Sequence, residues 1–263
     1  MLLADRYDSF LFDIDGVLMR GEDAIPGAPE AVERLRAEGK PRVFMTNNSA
    51  RTPDEVATRM TRVGIAASPD EVVTSALATA NLLRRDGAAR AFVVGERGVR
   101  DALEDAGIEI LDGDPDQVDV VVVGWDRSAD YARLRRAALL VERGARLVAT
   151  NADAAFPADD GAWPGAGALL SVVTVTTGAD ADVVGKPRPA MFLAARARAG
   201  EGRPVVIGDR LDTDIAGAVA LGWDSLLVLT GITSRSDADG ADVRPTYVVA
   251  DLSALHQELP PSG

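Results

Sequence analysis

The chain has 263 residues, 47% hydrophobic and 26% charged, with a formal net charge of -13, no cysteine and a single histidine, His256. That length can bury one large core or two modest ones, and the acidic balance argues against a surface for nucleic-acid phosphates or anionic lipid. The lack of cysteine excludes disulfides, thiolate metal centres and thiol nucleophiles, and the one histidine lies in the tail segment 252–259, so carboxylate chemistry is what remains.

The first strong pattern is Phe10-Leu11-Phe12-Asp13-Ile14-Asp15-Gly16-Val17. Residues 9–12 read as a buried strand of the kind covered on both faces by helices. The two aspartates fall where that strand runs out into a glycine turn. Ligand sites of open α/β sheets lie beyond the carboxyl ends of such strands, so Asp13 and Asp15 are placed to face a ligand. Two like charges so close raise one pKa unless a cation or a shared proton relieves them. An ordinary Asp-Gly turn is the alternative reading of the octapeptide alone.

Pro26 and Gly27 then introduce a helix whose Val32 and Leu35 face inward and which Gly39 closes. A strand at 42–45 completes a first β-α-β unit. Thr52-Pro53-Asp54-Glu55 is a capping box opening a helix that stops at Gly64. Ser68-Pro69-Asp70-Glu71 repeats that start signal, with a helix over 76–85. Strands follow at 92–95, 118–124 and 147–149, separated by amphipathic helices near 98–106 and 131–143. This second alternation reads either as a separate small domain or as part of one continuous sheet. The Ala/Gly-rich stretch 161–178 and the acidic 179–182 read as an exit and linker. The last third returns to alternation, with helix 189–200, strand 204–207, helix 215–221 and strand 225–229; Val248 and Val249 add an edge strand. His256 sits on a short final helix, and the Pro/Ser/Gly tail reads as frayed.

No apolar run approaches the roughly 20 residues needed to cross a bilayer, and the amino terminus carries Asp5 and no early lysine, so the chain reads as soluble, unexported and cytoplasmic.

Polar residues gather where apolar runs stop: Asp13 and Asp15, Thr46-Asn47-Asn48-Ser49, Gly185-Lys186-Pro187, and Gly208-Asp209-Arg210-Leu211-Asp212-Thr213-Asp214. Singly, each reads as a cap or a solvated turn. Together they have a chemical reason. Acids from two strand ends suit a hard cation such as magnesium, which prefers one or two carboxylates with waters and phosphate. The Thr46 hydroxyl, backbone amides and the Lys186 ammonium suit phosphoryl oxygens.

In these four motifs and their order, the chain resembles the haloacid dehalogenase-like phosphohydrolases. The long insert, with Ala149-Thr150-Asn151-Ala152-Asp153 and Pro164-Gly165-Ala166-Gly167, is similar to the p-nitrophenyl phosphatase and NagD-type subgroup. The resemblance implies an α/β fold: a Rossmann-like, doubly wound parallel core over 1–76 and 183–263, with a smaller α/β cap domain inserted at 77–182. It implies that Asp13 attacks phosphorus and becomes an aspartyl phosphate. Asp15 then protonates the leaving alkoxide and activates the hydrolytic water. Thr46 and Asn47 with Lys186 bind the phosphoryl group, Asp13, the main-chain carbonyl of Asp15 and Asp209 ligate Mg2+, and Asp214 orients a metal-bound water. Asp212 matches no essential position and is a solvated or water-bridging candidate. The cap covers the site and selects leaving groups, with Asn151, Asp153 and the turn at Trp163-Pro164-Gly165 as candidates for facing substrate; helix caps and a packed tryptophan are the alternative for each.

The implied activity is Mg2+-dependent hydrolysis of a small-molecule phosphomonoester, with phosphoglycolate or glycerol phosphate favoured and sugar phosphates or nucleoside monophosphates also in range. The resemblance also allows a homodimer built through the cap. A phosphomutase or a silent phosphometabolite-binding protein would carry the same residues. A receiver module is disfavoured, because it places its acidic pair before the acceptor aspartate.

Overall fold

A computed structural model of the protein describes residues 1–158 and 160–258. The Pro/Ser/Gly tail read as frayed lies outside the described residues. The fold resolves into two compact units, Met1–Thr46 with Pro53–Val73 and Lys186–Gly263, and Asn47–Thr52 with Thr74–Gly185. Among the described residues, no helix is long and apolar enough to cross a membrane.

The first unit is built on a six-stranded sheet in the order Tyr247–Val249, Asp224–Val228, Pro204–Gly208, Ser9–Asp13, Arg42–Thr46, Val72–Thr74. Numbered along the chain within this sheet, that order is 6-5-4-1-2-3, the doubly wound arrangement with its reversal between the first and fourth strands. Ser9–Asp13 is central, pairing in parallel with Arg42–Thr46 on one side and Pro204–Gly208 on the other, so that Leu11 faces Val43 and Val206. Every residue of this strand is buried, as expected of a strand covered on both faces. Alternate residues Phe10, Phe12, Phe44, Val205 and Ile207 share one core with Val32 and Leu35 of the helix Ala28–Ala37 and Val56 and Met60 of the helix Pro53–Arg62. Burying each such aromatic or branched side chain contributes about 1.5–3 kcal/mol over leaving it in water. The helix Pro189–Ala199 packs against the strands Ser9–Asp13 and Arg42–Thr46.

The start signal at 68–71 is corrected here. Ser68 and Glu71 do form a capping box, but it closes only a 3-10 turn, Pro69–Glu71. The β-branched run Val72-Val73-Thr74 then enters the sheet edge, and the helix begins at Ser75, capped by Thr74 Oγ1 accepting from the Leu77 amide at 3.1 Å. A local cap signal does not set helix length when the next residues fit a pleated, buried edge better. A short helix, Arg235–Gly240, was not anticipated.

The second unit has its own five-stranded parallel sheet, Asp182–Val183, Arg146–Ala149, Val120–Val123, Arg90–Val94, Glu109–Ile110. The two sheets are separate, so the continuous-sheet alternative does not hold. The stretch read as exit and linker is instead a hairpin, Ala155–Ala158 with Gly161–Pro164, and a 12-residue helix, Ala166–Thr177. Its run of valines and threonines has low helix propensity, which hid it. Tertiary contacts carry it: Leu170 and Val173 are buried in the core with Val121 and Leu147, and Thr176 and Thr177 hydroxyls donate to carbonyls one turn back. Its start lies close to neighbouring backbone, since a Cβ at Gly165 would meet the Asp153 carbonyl at 2.2 Å.

Candidate active site

Parallel pairing brings distant sequence positions to one rim of the first unit's sheet. Asp13 ends the first strand, Thr46 ends its neighbour, and Asp209 follows the strand on the other side, so the two acids flank the reversal of strand order. Asp214 comes from the turn Leu211–Ile215, and Lys186 from the segment leading into the helix Pro189–Ala199.

These groups meet. The Lys186 ammonium donates to Asp13 Oδ1 and, at 2.6 Å, to Asp214 Oδ1. One oxygen from each of Asp13, Asp209 and Asp214 lies within 4.8 Å of the other two. Asp209 Oδ2 accepts from the Ile232 amide at 2.7 Å, and Asp214 Oδ2 from the Arg210 amide at 3.2 Å. Asp209 Oδ1 is buried with no hydrogen-bond partner. All four side chains are inside the protein, with Asp209 and Asp214 each only 1% exposed.

Burial with few cations decides the electrostatics. Burial raises Asp13 well above the usual carboxylate range; Lys186 opposes this, while Asp214, Asp209 and Asp15 add to it. Burial and then the neighbouring Asp214 push Asp209 up to about 6. Burial also works against the Lys186 charge, but Asp13 and Asp214 outweigh it and hold the ammonium above the ordinary lysine range. Three buried carboxylates face one ammonium, which leaves two negative charges when all are ionised. An orphaned buried oxygen inside such a set fits a divalent hard cation.

Glycines make room for the acids. A Cβ at Gly231 would lie 1.9 Å from Asp209 Oδ2, and one at Gly16, whose φ is +86°, would lie 2.5 Å from the same atom. Thr230 Oγ1 donates to the Gly16 carbonyl at 2.7 Å, tying the two glycine turns together. Gly231→Ala is therefore expected to displace Asp209 and to cost about 1–3 kcal/mol of stability. An unaltered thermal unfolding midpoint for that variant would contradict the packing.

The other sequence candidates fall as follows. Asp15 is exposed and forms a bridge to Met19. Thr46 is buried at the end of its strand. Asn47 belongs to the second unit and its amide donates to Asp153 Oδ2 at 3.0 Å, while its carbonyl accepts from Ser75 Oγ and Asn151 Nδ2, each at 2.7 Å. Asn151 Oδ1 in turn accepts from the Asp153 amide, so Asn151 and Asp153 tie the segment Asn47–Thr52 to the end of the strand Arg146–Ala149. Trp163 donates its indole N–H to Asp160 Oδ1 at 2.7 Å. Asp212, the solvated or water-bridging candidate, is exposed and pairs with Arg210, 2.7 Å away, whose guanidinium lowers its pKa. Asp214, read as orienting a metal-bound water, contacts Lys186 directly and lies in the acid cluster. The segment Thr230–Ile232, which frames and binds Asp209, was missed; its signal is a Thr-Gly pair just past the strand Asp224–Val228.

Comparisons with known proteins identify the family. A family model described as haloacid dehalogenase-like hydrolase matches residues 10–109, and a second, HAD-hydrolase-like, matches residues 183–255. The chain is 37% identical over 257 residues to the acid sugar phosphatase of Staphylococcus aureus strain USA300, covering 97% of this chain and 98% of that one. The crystal structure of a glycerol phosphate phosphatase from Mycobacterium tuberculosis in complex with magnesium superposes with a TM-score of 0.93 at 38% identity, covering 98% of this chain and 79% of that one. NagD from E. coli K-12 gives 0.86 at 35% identity over 94% of this chain and 97% of its own. With its rim of acids and buried lysine in place, the chain belongs to the haloacid dehalogenase-like hydrolases, and within them to the NagD-like phosphatases.

Proposed function

We propose that the protein hydrolyses small phosphomonoesters through an aspartyl phosphate on Asp13, with Mg2+ held by the carboxylates of Asp13, Asp209 and Asp214 and the main-chain carbonyl of Asp15. The observation that carries this reading is the buried excess of negative charge around Lys186 with an unpartnered Asp209 oxygen inside it. When bound, the ion supplies two positive charges to phosphoryl oxygens and to the acids.

The chain's own groups then divide the work. Lys186, clamped between two carboxylates, orients Asp13 and neutralises charge on the transferring group. A carboxylate oxygen of Asp13 bonds to phosphorus as the ester P–O bond breaks, and Asp15 gives its proton to the departing alkoxide. Asp15, now a base, takes a proton from the water that attacks the same phosphorus, and the bond to Asp13 breaks to release inorganic phosphate. The exposed position of Asp15 supports this exchange with leaving group and water. Thr46, at the neighbouring strand end, supplies a hydroxyl to the phosphoryl oxygens. Residues 77–182 take the part of a cap that selects the leaving group, since they supply none of the acid cluster.

The relatives' names favour glycerol phosphate and sugar phosphates as substrates, with phosphoglycolate and nucleoside monophosphates completing the panel. The test is magnesium-dependent release of inorganic phosphate from that panel, abolished by a chelator. Asp15→Asn is expected to keep phosphate binding and lose at least about a hundredfold in turnover; near-normal turnover would refute the role. Scrambling of a label between two hydroxyls would point to a phosphomutase instead.

The raised pKa of Asp209 sets a pH dependence. An acid whose pKa is higher folded than unfolded stabilises the fold at low pH, and that contribution is lost as pH rises through about 6. A cation binds the deprotonated form, so it restores what ionisation removes. Added Mg2+ should therefore raise the unfolding temperature more at pH 7.5 than at pH 5. An equal rise at both would contradict the link between ion binding and a raised Asp209 pKa.

A further inference from the structure

The second unit's sheet has a strand reversal of its own. From Arg90–Val94 the chain crosses to Glu109–Ile110 on one side, and from Val120–Val123 it crosses to Arg146–Ala149 on the other, giving the order 5-4-3-1-2. Right-handed crossovers in opposite directions put the helices Arg97–Asp105 and Tyr131–Glu142 on opposite faces of the sheet. A crevice opens where they diverge, at the carboxyl ends of the two middle strands, which is where open α/β sheets take ligands. A groove of about 580 Å³ lies there, a size typical of small-molecule sites. All of its lining residues belong to the second unit, and none belongs to the Asp13 cluster.

Its lining sets four arginines, Arg97, Arg100, Arg127 and Arg133, against three acids, Glu96, Asp112 and Asp126, a cationic excess of one charge in a chain of net charge -13, with Arg127 paired to Glu96. Two of these guanidinium groups converge. Arg100 forks onto Asp112 at 2.5 and 3.2 Å, and Arg133 approaches the same carboxylate at 3.5 Å. Arg133 is held in place by donating to the Val93 carbonyl at 2.6 Å and by lying over the Phe92 ring. Asp112 is about half exposed, and exposed ion pairs add little stability. It occupies the point where the two forks meet, and a phosphate offers more charge and more acceptor oxygens than a carboxylate at that point.

We propose that this groove binds a small phosphate-bearing anion, gripped by Arg100 and Arg133, with Asp112 displaced toward solvent. The amides of Gly95 and Ser128 border the same groove and report on it.

The test is amide chemical-shift mapping of the full chain, carrying Asp13→Asn, on titration with inorganic phosphate against chloride of equal ionic strength. Saturable shifts at Gly95, Arg100 and Ser128, over and above those near Asp209, are expected. Arg100→Gln with Arg133→Gln should weaken the groove response at least about tenfold while leaving the response near Asp209 unchanged. Asp112→Asn should strengthen the groove response several-fold, a gain that misfolding cannot mimic. Shifts confined to the Asp209 region, equal shifts with chloride, or a groove response indifferent to both variants would overturn the proposal.

Discussion

Replacing Asp13 with asparagine is expected to lower kcat for phosphomonoester hydrolysis by about four orders of magnitude or more, even at saturating Mg2+. The amide matches the carboxylate in size but is a poor nucleophile toward phosphorus. It also removes one of the three buried negative charges, so like-charge repulsion with Asp209 and Asp214 falls and Lys186 keeps Asp214 as a partner. The variant should therefore fold as well as the parent, and its failure is a failure of chemistry. Steady-state phosphate release checks this. Residual turnover within tenfold of the parent would mean that another group attacks phosphorus.

Lys186→Met is expected to cost both stability and turnover. Methionine fills much the same volume but strips the ammonium from two buried carboxylates, and removing one partner of a buried ion pair costs about 3–5 kcal/mol. The loss is expected to shrink at low pH. Asp13 already holds its proton more tightly than an ordinary carboxylate, and once protonated it no longer needs the ammonium. Thermal unfolding in chelator at pH 5 and pH 7.5 should show this difference, and Mg2+ should recover part of the stability without recovering turnover. An unchanged unfolding midpoint at pH 7.5 would show that Lys186 does not neutralise the site.

The core of this site was legible because each of its pieces ends an apolar run. Asp13, Thr46 and Asp209 could be placed on one rim by the α/β rule alone, and the parallel pairing of Ser9–Asp13 with strands on both sides puts them there. The contact of Asp214 with Lys186 was not legible, because sequence spacing from Asp209 does not show that the turn Leu211–Ile215 folds its carboxylate back onto Lys186. The Gly231 and Ile232 contribution was missed because it consists of an absent side chain and a backbone amide, neither of which has a distinctive residue type. Asn151 and Asp153 read as candidates for facing substrate or as caps, and in the structure they hydrogen-bond to Asn47 and to each other. The helix Ala166–Thr177 was read as a linker for a related reason: its stability comes from Leu170 and Val173 meeting the second unit's sheet, and its own residues are poor helix formers.

The most direct measurement is rapid acid quench of the enzyme with Mg2+ and a phosphomonoester labelled on phosphorus, followed by peptide mapping. The account predicts label on protein within a single turnover, lost to hydroxylamine as an acyl phosphate is, in the peptide carrying Asp13. A competent enzyme that releases phosphate with no labelled intermediate, or with the label on another residue, would contradict it.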